Sequence, residues 1–360
     1  MKELIDRLEA EGTLSHKAWV ELLTGWSDED RGYAAKKARA VCDRIYGKQV
    51  FVRGLIEFTN YCRNDCYYCG IRRGNRKAER YRLDRVDILK CCDAGYGLGF
   101  RTFVLQGGED PWFTADRMSR IIREIKDRYP DCAVTLSIGE RTEEEYRAYR
   151  AAGADRYLLR HETADPLHYG LLHPMEMSHG RRLLCLEQLK RMEYQTGCGF
   201  MVGSPGQKVH MLAQDMELIH RLKPQMVGIG PFIPQKDTPF GGEAAGGLEL
   251  TLFLLSLIRL MEKDVLLPAT TALGTIHPQG RELGILAGAN VVMPNLSPLN
   301  VRKKYLLYDN KISTGTEAAE CRADLEARMQ AIGYEVVTAR GDWKAEAAPL
   351  DKEGKHGIKE

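Results

Sequence analysis

The sequence predicts an α/β protein built as a (β/α)8 barrel, and three observations support this prediction. Short apolar runs alternate with amphipathic stretches from Val52 onward, and strands separated by helices pair in parallel through right-handed crossovers. Eight such units fit the chain, which is the number that closes a barrel. Most of the runs are apolar along their whole length, as in strands covered on both faces. An open, doubly wound sheet is the alternative.

The expected elements follow in order along the chain. The strands are predicted at 52–58, 102–106, 133–138, 156–159, 198–202, 226–230, 265–269 and 290–293. The helices between and after them are predicted at 84–96, 114–128, 142–152, 178–193, 208–222, 248–262, 278–287 and 316–332.

This order divides the chain into four segments. Residues 1–48 have helical apolar spacing, and Ser27 followed by three acidic residues indicates a helix N-terminus. They are expected to form a helical extension before a barrel at 49–310. A C-terminal helical segment is expected at 311–340. Residues 341–360 are charged and poor in large apolar side chains, which predicts a disordered tail.

Composition narrows the possible partners and the compartment. With 52 basic and 50 acidic residues the net charge is +2, which gives no reason to expect nucleic acid or an anionic membrane. There is no long uncharged apolar run and no signal-peptide pattern at the start. The ten cysteines are therefore expected to be reduced thiols or metal ligands in a cytoplasmic protein.

Three cysteines stand in a C-x3-C-x2-C pattern directly after the first predicted strand: Cys62, Cys66 and Cys69. Three thiolates in one short loop can hold three irons of a [4Fe–4S] cubane and leave the fourth iron open, whereas four protein ligands would saturate it. A zinc knuckle with a distant fourth ligand is the alternative. No second C-x2-C unit or spaced histidine pair lies nearby to support it.

Polar and glycine-rich segments follow the other strands at the edge where a barrel places its site. Gly107, Gly108 and Glu109 follow the second strand, where glycines allow close approach of a ligand or simply form a tight turn. Arg160, His161 and Glu162 follow the fourth strand, and such a row faces either a polar ligand or a salt-bridge network. Similar segments after the remaining strands predict one large site.

The cysteine pattern, with the aromatic Tyr68 before its last cysteine, resembles the signature of the radical S-adenosylmethionine (SAM) superfamily. That resemblance implies a barrel of the radical SAM type with a [4Fe–4S] cluster and SAM as cofactors. The reduced cluster would cleave SAM to a 5′-deoxyadenosyl radical. A one-electron donor such as ferredoxin or flavodoxin is the implied partner.

Longer blocks resemble a narrower group, the HydE-type [FeFe]-hydrogenase maturases. They include residues 57–66, 81–83, 153–163, 226–234 and 268–275, and the similarity runs from about 45 to about 310. The resemblance implies a role in building the diiron part of the hydrogenase H-cluster. The substrate would be a small iron species with carbonyl, cyanide and cysteine ligands, and other hydrogenase maturases are candidate partners.

The same resemblance implies roles for single residues. Arg181 is the alternative to Arg182 as the partner of the SAM carboxylate. The implied SAM-binding residues are Tyr68, Gly107, Gly108, Glu109, Glu162, Arg182 and Met226, with Met226 near the adenine. The implied substrate-cavity residues are Arg160, Thr270, Thr271 and Tyr305.

The chain departs from the family pattern at two places. Some members carry three further cysteines for a second cluster, but the matching positions here are Ser313, Cys321 and Asp324. One cysteine cannot hold that cluster, so no second cluster is expected. Residues 235–237 stand where a loop containing His-Pro is expected, and the sequence offers no account of this.

The sequence is also compatible with other functions of the chain and with two roles for one of its segments. A methylornithine synthase-like mutase and a non-catalytic Fe–S scaffold are the alternative functions. The basic segment 72–82 is either a solvated loop or a docking patch for an acidic electron donor or a partner maturase. The six cysteines outside the triplet that fall in predicted helices or strands are expected to pack as small apolar residues.

Overall fold

The computed structural model describes residues 1–312 and 322–344. The strands are β1 Gln49–Val52, β2 Gly54–Thr59, β3 Thr102–Gly107, β4 Ala133–Ser137, β5 Arg156–Leu158, β6 Gln195–Cys198, β7 Met201–Val202, β8 Met226–Val227, β9 Gly230–Pro231, β10 Val291–Val292 and β11 Glu335–Val337. The helices are α1 Lys2–Glu11, α2 His16–Gly25, α3 Asp28–Tyr46, α4 Arg85–Gly97, α5 Ala115–Arg128, α6 Glu143–Ala151, α7 Pro166–Leu172, α8 His179–Arg191, α9 Val209–Leu222, α10 Leu248–Met261, α11 Thr271–Ile276, α12 Gly280–Leu286, α13 Leu299–Arg302 and α14 Arg322–Ala331.

A parallel sheet forms the centre of the fold and closes on itself. Strands β2, β3, β4, β5, β6 and β8 lie side by side in that order, all parallel. Single-residue parallel bridges complete the ring, joining Met226 to Leu266, Pro268 to Val291 and Asn295 back to Leu55. Eight parallel segments of the described chain therefore form a ring, which confirms the barrel prediction over the open sheet.

The first strand begins at Gln49, earlier than the predicted strand 52–58 but at the start of the segment predicted for the barrel. Strand β1 precedes β2 and pairs with β10 on one side and with β11 on the other. Strand β11 was not predicted; it returns the chain to the amino-terminal end of the barrel, in register Val50 to Val336. The C-terminal segment is thus a helix followed by a strand in its described part. The predicted start of its helix, and residues 345–360, lie outside the described residues.

The N-terminal helices cover one side of the barrel, where α2 packs on α9 and where α1 and α3 pack on α10. This helix is apolar along almost its whole length, which suits a helix buried on every face. The Trp26 ring stacks on Phe253 of α10, with ring centroids 4.9 Å apart. A capping box at Ser27 starts α3 as the sequence predicted. None of the helices in 1–312 and 322–344 has the length and hydropathy needed to cross a bilayer.

Candidate active site

A cavity of ≈ 330 Å³ opens at the carboxyl ends of the barrel strands. This is the edge where barrel enzymes carry their sites. Most of the predicted site residues line it: Cys62, Tyr68, Cys69, Gly107, Gly108, Glu109, Arg160, Glu162, Arg182, Thr270, Thr271 and Tyr305. Cys66 lies in the same loop without forming part of the cavity wall. Residues predicted from separate parts of the sequence therefore lie together at one edge of the barrel.

Met226 is placed elsewhere. Its buried side chain packs inside the barrel with Phe51, Leu266 and Val291, and Arg53 Nη1 lies 3.1 Å from its sulfur. It therefore does not line the cavity, although Phe232 and Ile233 from the same sequence block do. The reason is local, since β8 ends at Val227 and the chain reaches the cavity only several residues later.

The cysteine loop follows β2 and is held against the loop after β3. The Glu109 backbone N–H donates to Cys62 Sγ at 3.3 Å, and Cys66 Sγ lies 3.7 Å from Met177 Sδ. A Cβ on Gly108 would lie 2.2 Å from the Tyr61 carbonyl oxygen and 2.7 Å from the Cys62 Cβ. Gly108 is therefore required for close packing on the cluster loop, which is a more specific role than a tight turn.

The three thiols of the cysteine loop all have raised pKa values, which a bound cation would lower. Burial raises the pKa of Cys62 and Cys66, and it raises the pKa of Cys69 to about 12; the neighbouring cysteines add to the effect at Cys66 and Cys69. Because metal ligation requires thiolates, bound iron would supply the positive charge that releases these protons. Within the described residues no three His, Cys, Asp or Glu side chains converge on a single-ion site. A cubane instead gives each thiolate its own iron.

The Tyr68 hydroxyl is hydrogen-bonded to His173, a residue to which the sequence analysis gave no role. His173 Nδ1 lies 2.9 Å from the Tyr169 carbonyl oxygen, so it must carry the proton and donate there. The Nε2 of His173 then accepts from the Tyr68 hydroxyl at 3.2 Å. Burial, followed by the charge of Arg182, lowers the pKa of His173 to about 3 and keeps this ring neutral.

Of the three ionisable residues that follow β5, His161 points into the protein, whereas Arg160 and Glu162 line the cavity. His161 is completely buried with Asp215, with His161 Nε2 3.2 Å from Asp215 Oδ1. Arg160 and Glu162 face the cavity instead, with Arg160 Nη2 3.3 Å from Glu162 Oε2. Neither of these two atoms has a hydrogen bond in the structure, and the same is true of Arg160 Nε and Thr270 Oγ1. Buried groups without partners are the ones a polar ligand would satisfy.

Glu162 and Arg182 also differ from ordinary wall residues. The backbone of Glu162 has φ 68°, a conformation that non-glycine residues rarely adopt and that is concentrated at functional sites. Arg182 is buried, with its Nε donating to Glu140 at 2.6 Å and its Nη1 donating to the Arg160 carbonyl oxygen at 2.8 Å. Arg181 is more exposed and lies 4.0 Å from the same carboxylate. The burial thus favours Arg182 over Arg181 as the anion-binding residue.

Sequence reasoning missed an ion pair in the cavity wall. Lys311 Nζ is bonded to Glu57 Oε1, and the other oxygen of Glu57 accepts from Asn295 Nδ2 at 2.8 Å. Both charged residues are buried and both line the cavity. The available signal was Glu57 itself, a carboxylate inside an apolar strand that needs a buried partner.

Comparison with known proteins agrees with this geometry. The sequence pattern of the radical SAM superfamily matches residues 56–219. The chain is 42% identical over 335 residues to the [FeFe] hydrogenase maturase subunit HydE of Thermotoga maritima, covering 92% of this chain and 94% of that protein. The chain belongs to the HydE family of radical SAM enzymes.

More distant relatives share the same fold. The 3-methylornithine synthase of Methanosarcina barkeri is 29% identical over 285 residues, covering 79% of this chain and 79% of that protein. The crystal structure of methylornithine synthase (PylB) superposes with a TM-score of 0.81 at 25% identity, covering 93% of this chain and 97% of that one. Membership of the HydE family implies a [4Fe–4S] cluster and SAM, and the three thiols beside the cavity fit them.

Two of the three positions for a second cluster cannot be located in the fold. Ser313 and Cys321 lie outside the described residues, whereas Asp324 is exposed on α14. The expectation that no second cluster is present therefore stays a prediction.

Proposed function

We propose that this chain is a HydE-type maturase that acts in assembly of the [FeFe]-hydrogenase diiron subsite, on a small iron species with carbonyl, cyanide and cysteine ligands. The observation that carries the proposal is one cavity whose wall combines the cysteine loop with buried charged atoms that have no hydrogen-bond partner. The 42% identity to a hydrogenase maturase subunit over almost the whole chain supports the same activity.

The chain's own residues would bind and orient the cofactors. When bound, the [4Fe–4S] cluster supplies one electron to SAM, which yields methionine and a 5′-deoxyadenosyl radical. Cys62, Cys66 and Cys69 would hold three irons of the cluster, and Tyr68 would close the loop around it. The Gly107–Glu109 backbone would face the amino group of SAM.

A second set of residues would bind the ends of the SAM molecule. Glu162 would accept from the SAM amino group, and Arg182 would donate to its carboxylate, because a buried guanidinium remains charged and donates in pairs. The adenine would lie on Phe232 and Ile233, which line the cavity where Met226 does not.

The remaining cavity wall would hold the substrate. Arg160 supplies N–H groups that have no hydrogen bond, and the Thr270 hydroxyl in the same cavity wall is also without one. Thr271 and Tyr305 lie on the same wall. This combination suits a small ligand that carries negative charge and several acceptors. No second cluster is part of the proposal, since Cys321 is the one cysteine among the three positions.

Partners follow from the chemistry. The reaction needs a one-electron donor, for which ferredoxin or flavodoxin is proposed, and the iron substrate needs another hydrogenase maturase to produce it. Neither nucleic acid nor a membrane is proposed as a partner, and the cytoplasm is the proposed location.

The first experiment measures SAM cleavage. The protein is reconstituted anaerobically with iron and sulfide, reduced with dithionite and supplied with SAM; 5′-deoxyadenosine is expected in the wild type and in Cys132→Ala, which removes a buried thiol outside the triplet. Cys69→Ala is expected to lose the cluster and the product. A wild type that binds a cluster and forms no 5′-deoxyadenosine would be a scaffold and would refute the proposal.

The second experiment tests the substrate. A hydrogenase co-expressed with its other maturases should gain activity only when this chain is present. Full hydrogenase activity without it, or formation of 3-methylornithine by the purified chain, would favour the synthase relatives instead.

A further inference from the structure

The basic segment after the cysteine loop, residues 72–82, contains arginines that are bonded within the fold and arginines that are exposed. Arg72, Arg80 and Arg82 are used within the fold: Arg72 pairs with Asp65 and Arg82 with Asp110, both at 2.6 Å. Arg80 donates to backbone carbonyl oxygens of its own loop. These three residues hold the loop in place and are not available to a partner.

Two other arginines of the segment are exposed. In the described part of the chain, the side chains of Arg73 and Arg76 have no ion-pair or hydrogen-bond partner. Lys77, next to them, is exposed as well but pairs with Asp237 at 2.7 Å. The unbalanced positive charge of this loop is therefore concentrated at Arg73 and Arg76.

The helix that packs on the cysteine loop carries exposed apolar side chains. Leu167 is 83% exposed, Leu171 is 48% exposed and Met175 is fully exposed. They belong to α7 and to the turn after it, which packs on the cysteine loop: the Tyr67 N–H donates to the Leu172 carbonyl oxygen at 3.0 Å. Large apolar side chains grouped on a surface in this way mark interaction sites.

Tyr67 connects the two surfaces. Its ring lies under the Arg72 guanidinium, 5.6 Å from ring centroid to Cζ, while its backbone bonds to Leu172. The basic segment and α7 therefore both contact the eight-residue cysteine loop, the first also through the Arg73 N–H, which donates to the Asn64 carbonyl oxygen at 2.8 Å.

We propose that Arg73, Arg76, Leu167, Leu171 and Met175 form the docking surface for an acidic one-electron carrier protein. This surface is called the donor face below. Charge complementarity selects the occupant, because two uncompensated arginines attract a partner with an acidic rim, and the apolar side chains would be buried in the contact. One electron passes from the reduced carrier to the cluster with no proton or bond change. The inference rests on the proposed function, since it requires the cluster.

The test compares a protein reductant with a small one. An acidic ferredoxin, chemically reduced and freed of excess reductant, is mixed anaerobically with the reconstituted enzyme, and cluster reduction is followed by absorbance. Dithionite replaces ferredoxin in a parallel series. Arg73→Glu combined with Arg76→Glu should slow reduction by ferredoxin about tenfold at low salt and flatten its salt dependence. Reduction by dithionite should stay unchanged.

Two further variants complete the design. Leu171→Ser with Met175→Ser should slow reduction by ferredoxin while keeping the wild-type salt dependence. Arg120→Glu with Arg123→Glu makes the same charge change at two exposed arginines of α5, away from the donor face, and should behave as wild type. Equal ferredoxin rates for the donor-face and α5 charge variants would overturn the proposal. Failure of dithionite to reduce any of the proteins would instead count against the cluster itself.

Discussion

Two arginines four positions apart, Arg156 at the start of β5 and Arg160 just after its end, have opposite surroundings. Arg156 lies at the closed end of the barrel, completely buried, and every nitrogen of its guanidinium donates a hydrogen bond. Its partners include Thr102 at 3.0 Å and Asp342 at 2.6 Å. Arg160 lies at the open end, where its Nε and Nη2 have no hydrogen-bond partner.

The hydrogen bonds of Arg156 and Arg160 distinguish a charged residue that stabilises the fold from one that is available to bind a ligand. Burying a guanidinium is favourable only when its donors are satisfied, so the closed end is complete without any added molecule. At the open end Arg160 Nε has no hydrogen-bond partner, and Arg160 Nη2 pairs with Glu162 at 3.3 Å without a hydrogen bond, so the cost of burying these polar atoms is only partly offset, as is typical of sites that bind polar ligands. The hydrogen-bond inventory of each end thus indicates its role more clearly than residue type does.

The largest effect is expected at the Glu57–Lys311 pair, where buried charges at the open end are paired as they are at the closed end. Lys311→Met would leave the fully buried Glu57 carboxylate without its cation, which should lower the free energy of unfolding by about 3–5 kcal/mol. Adding Glu57→Gln removes the stranded charge and keeps an acceptor for Asn295, so the double variant should recover most of the loss. Urea unfolding of the apoproteins measures both, and a double variant no more stable than Lys311→Met would contradict the pairing.

The next effect distinguishes the two arginines directly. Arg156→Met removes several charge-assisted hydrogen bonds and should lower the free energy of unfolding by about 2–3 kcal/mol, measured by urea unfolding. Arg160→Met should lower it by about 1 kcal/mol, because the contact it removes is an ion pair with Glu162 at 3.3 Å made by a partly exposed arginine. In turnover per folded molecule the order should reverse, with Arg160→Met reduced about 10-fold or more and Arg156→Met close to wild type. Equal stability losses would remove the distinction between the two ends.

A third prediction concerns the pH at which each end of the barrel loses stability. His173 has a pKa of about 3 in the folded protein and about 6.5 when unfolded, so its contribution is complete above pH ~6.5 and is lost as the pH falls towards 3. At pH 5 the loss should be about 2 kcal/mol. His173→Gln should remove that part of the pH dependence in urea unfolding of the apoprotein, with the exposed His210→Gln as control. An unchanged pH profile for His173→Gln would show that this ring is not held neutral.

The closed end should respond only at lower pH. Burial opposes ionisation of Asp342, but the hydrogen bond from Arg340 and the charge of Arg156 outweigh it and lower the pKa of Asp342. Stability that depends on this carboxylate is therefore present above the usual range of aspartate, near pH 4, and is lost below it. Asp342→Asn should alter the unfolding profile below about pH 4 and leave unchanged the part of the profile between pH 5 and 6.5 that depends on His173.

The sequence was most informative where a signal is local. Eight apolar runs predicted the ring, and the spacing of Cys62, Cys66 and Cys69 predicted their loop, because neither requires knowledge of distant partners. Strand β11 was missed because three residues are too short to show a period, and it pairs with a strand at the other end of the chain. The Glu57–Lys311 pair joins residues 254 positions apart, which no local pattern encodes.

Met226 and the arginine row show a second limit. The block that contains Met226 was recognised, but the side chain that reaches the cavity depends on where β8 ends and how the chain bends after it. The row Arg160, His161 and Glu162 likewise gave no indication that the middle residue turns away to Asp215. Alternation along a strand assigns faces, whereas the irregular backbone at a strand end does not follow it.

The smallest effect is expected at the neighbouring arginines of α8, which repeat the comparison within a single helical turn. Arg182 is buried against Glu140 and the carbonyl oxygen of Arg160, whereas Arg181 is largely exposed. Arg182→Met should weaken SAM binding to the reconstituted protein about tenfold, or about 1.4 kcal/mol, and Arg181→Met should weaken it by less than about threefold. Equilibrium binding of SAM under anaerobic conditions measures both variants, and Arg182→Lys tests whether charge without the paired donors is enough. Equal losses for Arg181→Met and Arg182→Met would mean that burial does not decide which arginine binds the carboxylate.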